Sequence, residues 1–389
     1  MNHLTAALTT LVFVSVAWVL APDANAYPHF QFSSDTDTCS TCHYAPAGGG
    51  LINGWGREEA GDTLSRGGDG AALHGLAEMP SWLAIGGDLR AAALMKGVET
   101  SEGTVNESGK LHIFPMQADV SARAEHKAFA LTAVVGLRGK ARKSAPPDGS
   151  MREEAGALSR LVSREHFITY APDDSKYTMR GGRFYAPYGL RLADHTSYVR
   201  RHAGFGMLKE TYGLGVSRRG DANETHITAH VSDPILGSQN LTFGATAMHE
   251  KRGDSHALGA GARLRFAESN MQAWAGGHYK HWFESKKLLL MAEVNAGYQS
   301  FAESPDNSRL QLLGYIGPVW FPTDGVSASV AYEHFDEDLL TRYVERHAIT
   351  STISFLPRAH YEIFLMGRAE RIGPPGRSFT GMLQLHYYL

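Results

Sequence analysis

From Trp82 onward, apolar residues recur at every second position in segments of roughly ten to fifteen residues, each closed by turn-forming residues. Between Lys287 and Ala302 one alternate set reads Leu288, Leu290, Ala292, Val294, Ala296, Tyr298. The final segment sets Leu383, Leu385, Tyr387 and Leu389 against Gln384 and His386. Period two is that of a strand with one apolar and one polar face. Strands are predicted over 82–97, 111–126, 128–141, 164–173, 177–189, 209–219, 225–233, 241–251, 256–268, 271–284, 287–302, 308–321, 326–336, 345–356, 361–371 and 377–389.

Sixteen is an even number within the range of bacterial outer-membrane barrels. The connections alternate as such a barrel requires. Asp173–Lys176, Lys251–Asp254 and Pro322–Gly325 read as short turns, and 98–110, 141–163, 190–208 and 336–345 as long loops. A soluble propeller or sandwich would also alternate, but no blade-length repeat is present. Aromatics gather near predicted strand ends (Trp320, Phe321, Tyr361, Tyr387, Tyr388), and the last strand runs to the final apolar residue. The predicted fold class is therefore all-β, a transmembrane antiparallel β-barrel of about 16 strands over residues 82–389, preceded by a small separate segment.

Before the barrel the pattern is different. Leu4 to Leu20 is an apolar run, and Ala24-Asn25-Ala26 offers the small-x-small site of a signal peptidase, so residues 1–26 are predicted to be a signal peptide and the mature chain to begin at Tyr27. Met1-Asn2-His3 lacks the usual Lys or Arg; the alternative is a retained anchor, for which a run broken by threonines and a serine is marginal.

Residues 27–80 are rich in Gly and Asp, with little apolar periodicity. They contain both cysteines of the chain, in Cys39-Ser40-Thr41-Cys42-His43. That spacing lets two thiols add to haem vinyl groups while the following imidazole ligates iron. A zinc site lacks a second ligand pair, a thioredoxin-like pair lacks a preceding strand, and a plain disulfide leaves His43 unexplained. One covalent haem c is expected on Cys39 and Cys42, with His43 as the proximal iron ligand. For the distal position Met79, His74 and His29 are all candidates, and a five-coordinate iron is also open. A segment this short would rely on the haem as its main apolar centre.

The run Cys39-x-x-Cys42-His43-x-x-Pro46-x-Gly48-Gly49-Gly50-x-x-Asn53-x-x-Gly56, preceded by Tyr27-Pro28-x-Phe30, resembles the haem-bearing head of a group of bacterial outer-membrane barrel proteins. In that group a monohaem segment precedes a porin-like barrel. The resemblance implies an outer-membrane location with the haem segment on the periplasmic side and, more loosely, electron transfer.

Within the barrel, residues 182–202 are chemically dense, and Gly182-x-Phe184-x-x-Pro187-Tyr188-Gly189-Leu190 resembles the strand and loop of phosphate-selective porins. In those proteins the loop folds into the lumen and a carboxylate follows the Gly-Leu pair; here that place holds Arg191, so their specificity does not carry over. Arg183, Arg191, His195, Arg200 and Arg201 are lumen candidates. Three readings stand: a positive field for passing anions, braces pairing with Asp194, Glu210 and other lumen carboxylates, or partners for a haem propionate.

Composition adds limits. A formal charge of -3 offers no basic surface for nucleic acid, and no nucleotide-binding or hydrolytic motif appears, so an enzyme is not expected. Two functions remain: a redox barrel that exchanges electrons with periplasmic or extracellular cytochromes, or a diffusion porin for small, anionic solutes with the haem segment as plug, sensor or docking module. Outer-membrane lipid is the expected surround, and a homotrimer fits porins of this size.

Overall fold

The computed structural model describes residues 28–36, 38–76, 78–100, 103–104, 109–137, 161–204, 210–231, 242–267, 270–301, 308–342, 344–372 and 376–389. The expected signal peptide, its cleavage site at Tyr27 and most of the predicted 141–163 loop lie outside them.

Sixteen long strands follow one another: β1 (Leu83–Thr100), β2 (Leu111–His126), β3 (Phe129–Leu137), β4 (Leu161–Tyr170), β5 (Tyr177–Phe184), β6 (Thr211–Arg219), β7 (Asn223–Val231) and β8 (Phe243–Arg252), then β9 (His256–Ala267), β10 (Asn270–Phe283), β11 (Leu288–Phe301), β12 (Arg309–Thr323), β13 (Val326–Asp336), β14 (Arg346–Arg358), β15 (Tyr361–Ile372) and β16 (Gly376–Tyr388). A two-residue pairing at Gly103–Thr104 extends the end of β1. Each strand pairs antiparallel with its sequence neighbours, and β1 pairs with β16 in the register Ala93 to Leu383, so the sheet closes on itself. Closure leaves no strand edge unpaired, which is what lets a sheet sit in hydrocarbon.

The alternation sorts side chains as the sequence predicts. On β11, Val294, Ala296 and Tyr298 face outward while Leu289, Met291, Glu293 and Asn295 are buried. On β16, Leu383 and Leu385 are exposed, with Gln384 and His386 inside. Buried carboxylates, histidines and arginines under an apolar exterior invert the order of a water-soluble protein. Among the described residues no helix is long and apolar enough to cross a membrane.

Every predicted strand has its counterpart. One boundary moves for a physical reason: the strand predicted over 177–189 ends at Phe184. Pro187 cannot donate to a ladder, and Gly189, at φ +62°, packs where a Cβ would come within 2.3 Å of the Glu293 carboxylate. The chain leaves the wall there and turns into the lumen.

The described residues before the barrel form three short helices, α1 (Phe30–Ser33), α2 (Cys39–Cys42) and α3 (Gly54–Asp62), and a 3₁₀ turn over Ala72–Gly75. This head sits in the short-turn mouth of the barrel. Arg66 N donates to Leu356 O (3.1 Å), Ala359 N to Gly67 O (2.8 Å), Arg57 Nη2 to Ile85 O (2.8 Å) and Arg252 Nη2 to Asp35 Oδ1 (2.7 Å). Its Phe32 joins an apolar cluster that includes Leu190, Tyr198, Trp274 and Met291 of the barrel and its in-folded loop. The small segment thus completes its core with barrel residues.

Candidate functional site

The motif residues build a compact turn. Cys39 and Cys42 open and close α2, where Thr38 N donates to Thr41 Oγ1 at 3.4 Å. His43 leaves in extended conformation and bridges to Ile52. The return is made by Gly48, Gly49 and Gly50, at φ +77°, +78° and +60°, three successive left-handed residues that only glycine adopts without strain. Asn53 ties the pieces together: its Oδ1 accepts from Gly56 N (3.0 Å) and caps α3, and its Nδ2 donates to Thr41 O (2.8 Å). At Gly56 a Cβ would come within 2.5 Å of Cys42 O. Each of these positions in the sequence motif has a local structural reason.

Cys39, Cys42 and His43 all face one cavity between head and wall, with about 990 Å³ of empty space. Burial pushes the His43 imidazole down to about 4 against a backbone hydrogen bond with Gly49, so it is neutral, as an iron ligand must be. Its Nδ1 is buried with no hydrogen-bond partner. Burial likewise raises both thiols, Cys42 to about 12, and the two cysteines are free. The donor set fits a covalently held haem c.

The wall contributes groups that sequence reasoning did not select. Gly87, Asp88, Arg90, Glu362, His386 and Tyr388 line the same cavity. His386 is clamped between Asp88 Oδ1 (3.1 Å from Nε2) and Glu362 Oε2 (2.8 Å from Nδ1); Arg90 Nε pairs with Asp88 Oδ1 at 2.9 Å, and Ser354 Oγ donates to Glu362 Oε1 at 2.6 Å. The available signal was the alternation, which turns Asp88, Arg90, Glu362 and His386 inward.

The distal candidates lie elsewhere. None of His29, His74 and Met79 lines the cavity of the two cysteines. His74, at φ +55°, lies exposed at the rim, 2.5 Å from Tyr387 Oη and with its ring 4.3 Å from that of His360. His29 faces the lumen cavity beyond, beside Phe30 and Phe321, and burial lowers it to about 4 against the pull of Glu362. Met79 is half-buried in the connection to β1.

The 185–204 segment enters the lumen from the long-loop side. Tyr188 Oη donates to Asn295 Oδ1 (2.8 Å), Leu190 N to Glu293 Oε2 (2.7 Å) and Tyr198 Oη to Glu370 Oε1 (2.5 Å), and Leu190 and Tyr198 are fully buried. Its cations are engaged with the wall or with the loop itself. Arg191 Nη2 lies 2.7 Å from Glu224 Oε1 and 3.7 Å from Glu250 Oε1, and Arg183 Nη2 lies 3.3 Å from Glu210 Oε2. Arg200 Nη1 donates to Leu192 O and Ala193 O (3.0 and 2.6 Å), whereas Arg201 is exposed. His195 is lowered by burial, and Asp194 accepts from Thr196.

Head and loop meet inside the lumen. Ala47 packs on Tyr185 and Ala186. Glu250 accepts from Gln31 of the head (3.2 Å) and from wall His278 (2.6 Å), pairs with Lys280 (2.8 Å), and lies beside Arg191 of the loop.

No family model matches this chain, and no curated protein matches it in sequence. Solved structures do match its fold. An outer membrane protein of Vibrio cholerae, OmpT with loop L8 deleted, superposes with a TM-score of 0.57 at 9% identity, covering 79% of this chain and 99% of that one. The anion-selective porin from Comamonas acidovorans gives 0.56 at 6% identity over 79% and 99%. The outer membrane channel DcaP of Acinetobacter baumannii gives 0.53 at 11% identity over 81% and 100%. The fold is that of an outer-membrane porin-type barrel.

Proposed function

We propose that this chain is an outer-membrane barrel whose periplasmic mouth holds a single covalent haem c, and that it takes part in electron transfer at or across that membrane. The observation that carries the reading is the convergence of Cys39, Cys42 and the neutral, half-buried His43 on one cavity between head and wall. Cys39 and Cys42 would hold the haem and His43 its iron. Bound haem supplies reversible one-electron chemistry, with a potential set by burial and nearby charge. Around it, this chain's own groups fix the setting. The Asp88, His386 and Glu362 cluster places charge beside the cavity, and the head's bonds to Leu356, Ile85 and Glu250 hold it in the mouth. A periplasmic or extracellular cytochrome would supply the further redox centre, since the chain has one Cys-x-x-Cys-His motif.

A second reading is a diffusion porin for small, anionic solutes with the head as a plug, and its support is the porin-type fold, shared with a protein named an anion-selective porin. Against free passage stand the head and the in-folded loop, which meet inside the lumen. Planar-bilayer conductance, measured beside electron delivery into liposomes enclosing a soluble acceptor, separates the two. Low conductance with haem-dependent electron delivery supports the redox barrel; large steady conductance with no electron delivery overturns it in favour of the porin.

A further inference from the structure

Between head and loop the lumen widens into a second cavity, with about 1420 Å³ of empty space. Its wall departs from what a water-filled porin lumen presents, which is polar. Strand register sets Leu94, Met382, Met366 and Thr352 side by side across β1, β16, β15 and β14. Met291 and Val319 line the same space from β11 and β12, and Phe114 and Met116 from β2. Met116, Met291 and Met366 are buried. Polar groups share the chamber with this apolar stripe: Asp194 and His195 come from the loop, His29 from the head, and Arg90, Glu333, Thr350 and Gln384 from the wall.

The apolar stripe itself is a poor host for ions, because an apolar surround strips hydration without replacing it. Four thioethers make an adaptable, polarizable surface that favours the edges of aromatic rings, and Phe114, Tyr315 and Phe364 add ring partners for offset or edge contacts. The polar groups beside the stripe would orient one oxygen-bearing end of an occupant.

We infer that this chamber binds a small planar aromatic molecule carrying a hydroxyl or carbonyl oxygen. Pro28 and Arg90 line both this chamber and the cavity of Cys39 and Cys42, so the occupant lies next to the proposed haem site. The inference concerns binding alone and stands whether or not haem is attached.

The test uses the full chain in lipid nanodiscs and 1-naphthol as probe, with binding followed by equilibrium dialysis and haem content by staining. Expected is saturable binding of one probe per chain. The substitutions Met366→Glu, which charges the wall, and Met382→Trp, which fills it, each weaken binding at least tenfold in protein that still shows a heat-modifiable folded band. The Cys39→Ala, Cys42→Ala double variant binds as the parent does. Four results overturn the proposal: unsaturable partitioning equal to that of empty nanodiscs, unchanged affinity in either folded variant, displacement by 1-decanol as effective as by unlabelled naphthol, which would make the occupant an alkyl chain, or loss of binding in the cysteine variant, which would place the probe in the head cavity. Haem staining reports the haem reading separately, so the failure of one is distinguishable from the failure of the other.

Discussion

Arg191 of the in-folded loop lies 2.7 Å from Glu224 on the wall, and both side chains are only 3% exposed. Burial works against the charge of Arg191, but the Glu224 and Glu250 carboxylates hold it above the ordinary arginine range. The pair fastens the loop to β7. The loop cations are therefore braces first, and Arg201 is the exposed exception.

Arg191→Met should remove that brace and leave two buried carboxylates short of a partner, at a cost of about 3 kcal/mol. Glu224 keeps His226 at 3.0 Å and Glu250 keeps Lys280, which holds the loss to the lower end of the range. The folded band on an unheated gel should convert at a clearly lower temperature. Arg201→Ser should change stability by less than about 0.5 kcal/mol. Equal behaviour of the two variants would show that the loop is not held through Arg191.

Asn53→Ala should cost about 1 kcal/mol through the lost α3 cap and release Thr41 O between the cysteines. Gly56→Ala should act more strongly, because its Cβ would collide with Cys42 O. Both changes should lower haem staining per folded barrel, Gly56→Ala the more. Full haem occupancy in Gly56→Ala would mean that the turn need not hold its shape for attachment.

These residues mark how far the sequence could be read. The barrel was legible because period two reports a strand face by face, down to Leu385 out and His386 in. The Cys39 turn was legible because its chemistry and its glycines are local. What surrounds it was not. His386 and Glu362 reach the cavity from more than three hundred positions away, brought there by closure of β1 on β16, a relationship carried by no local pattern. Searching near the motif for a distal ligand led to His74 and Met79, but the chain between α3 and β1 runs along the rim. The apolar lumen was hidden for a related reason: Met366 and Met382 sit at inward positions, where a porin pattern leads one to expect polar residues.

Acid should loosen the head before the barrel. Burial lowers His43 and His29 to about 4, against a usual value near 6.5. Between those values the unfolded head binds more protons than the seated one, so stability rises with pH across the window and is lost as pH falls through it. Together the two groups amount to about 7 kcal/mol at most. In the Cys39→Ala, Cys42→Ala variant, where no iron could hold His43, protease cleavage between residues 28 and 80 should accelerate as pH drops from 6.5 to 4 while the barrel band persists. A cleavage rate independent of pH would show that neither imidazole is buried in solution.

Removing the head should open the short-turn mouth. Residues 28–80 are held there by main-chain bonds to Leu356 and Ala359, by Arg57 on Ile85 O and by Gln31 on Glu250, and none of these partners is needed to close the strand ladder. A chain that keeps its export signal and β1 to β16 but lacks 28–80 should therefore still form a heat-modifiable barrel. Lys280, whose Nζ donates to Gln31 Oε1 at 2.6 Å, would lose a partner but keep Glu250 at 2.8 Å, so the wall stays charge-paired. The in-folded loop is anchored separately through Leu190, Tyr188 and Tyr198 and would remain. Single-channel conductance in a planar bilayer should then rise several-fold over the full chain, limited by the loop alone. An unchanged conductance in the folded deletion variant would show that the loop is the seal and the head a passenger; a high conductance already present in the full chain would show that neither blocks the pore.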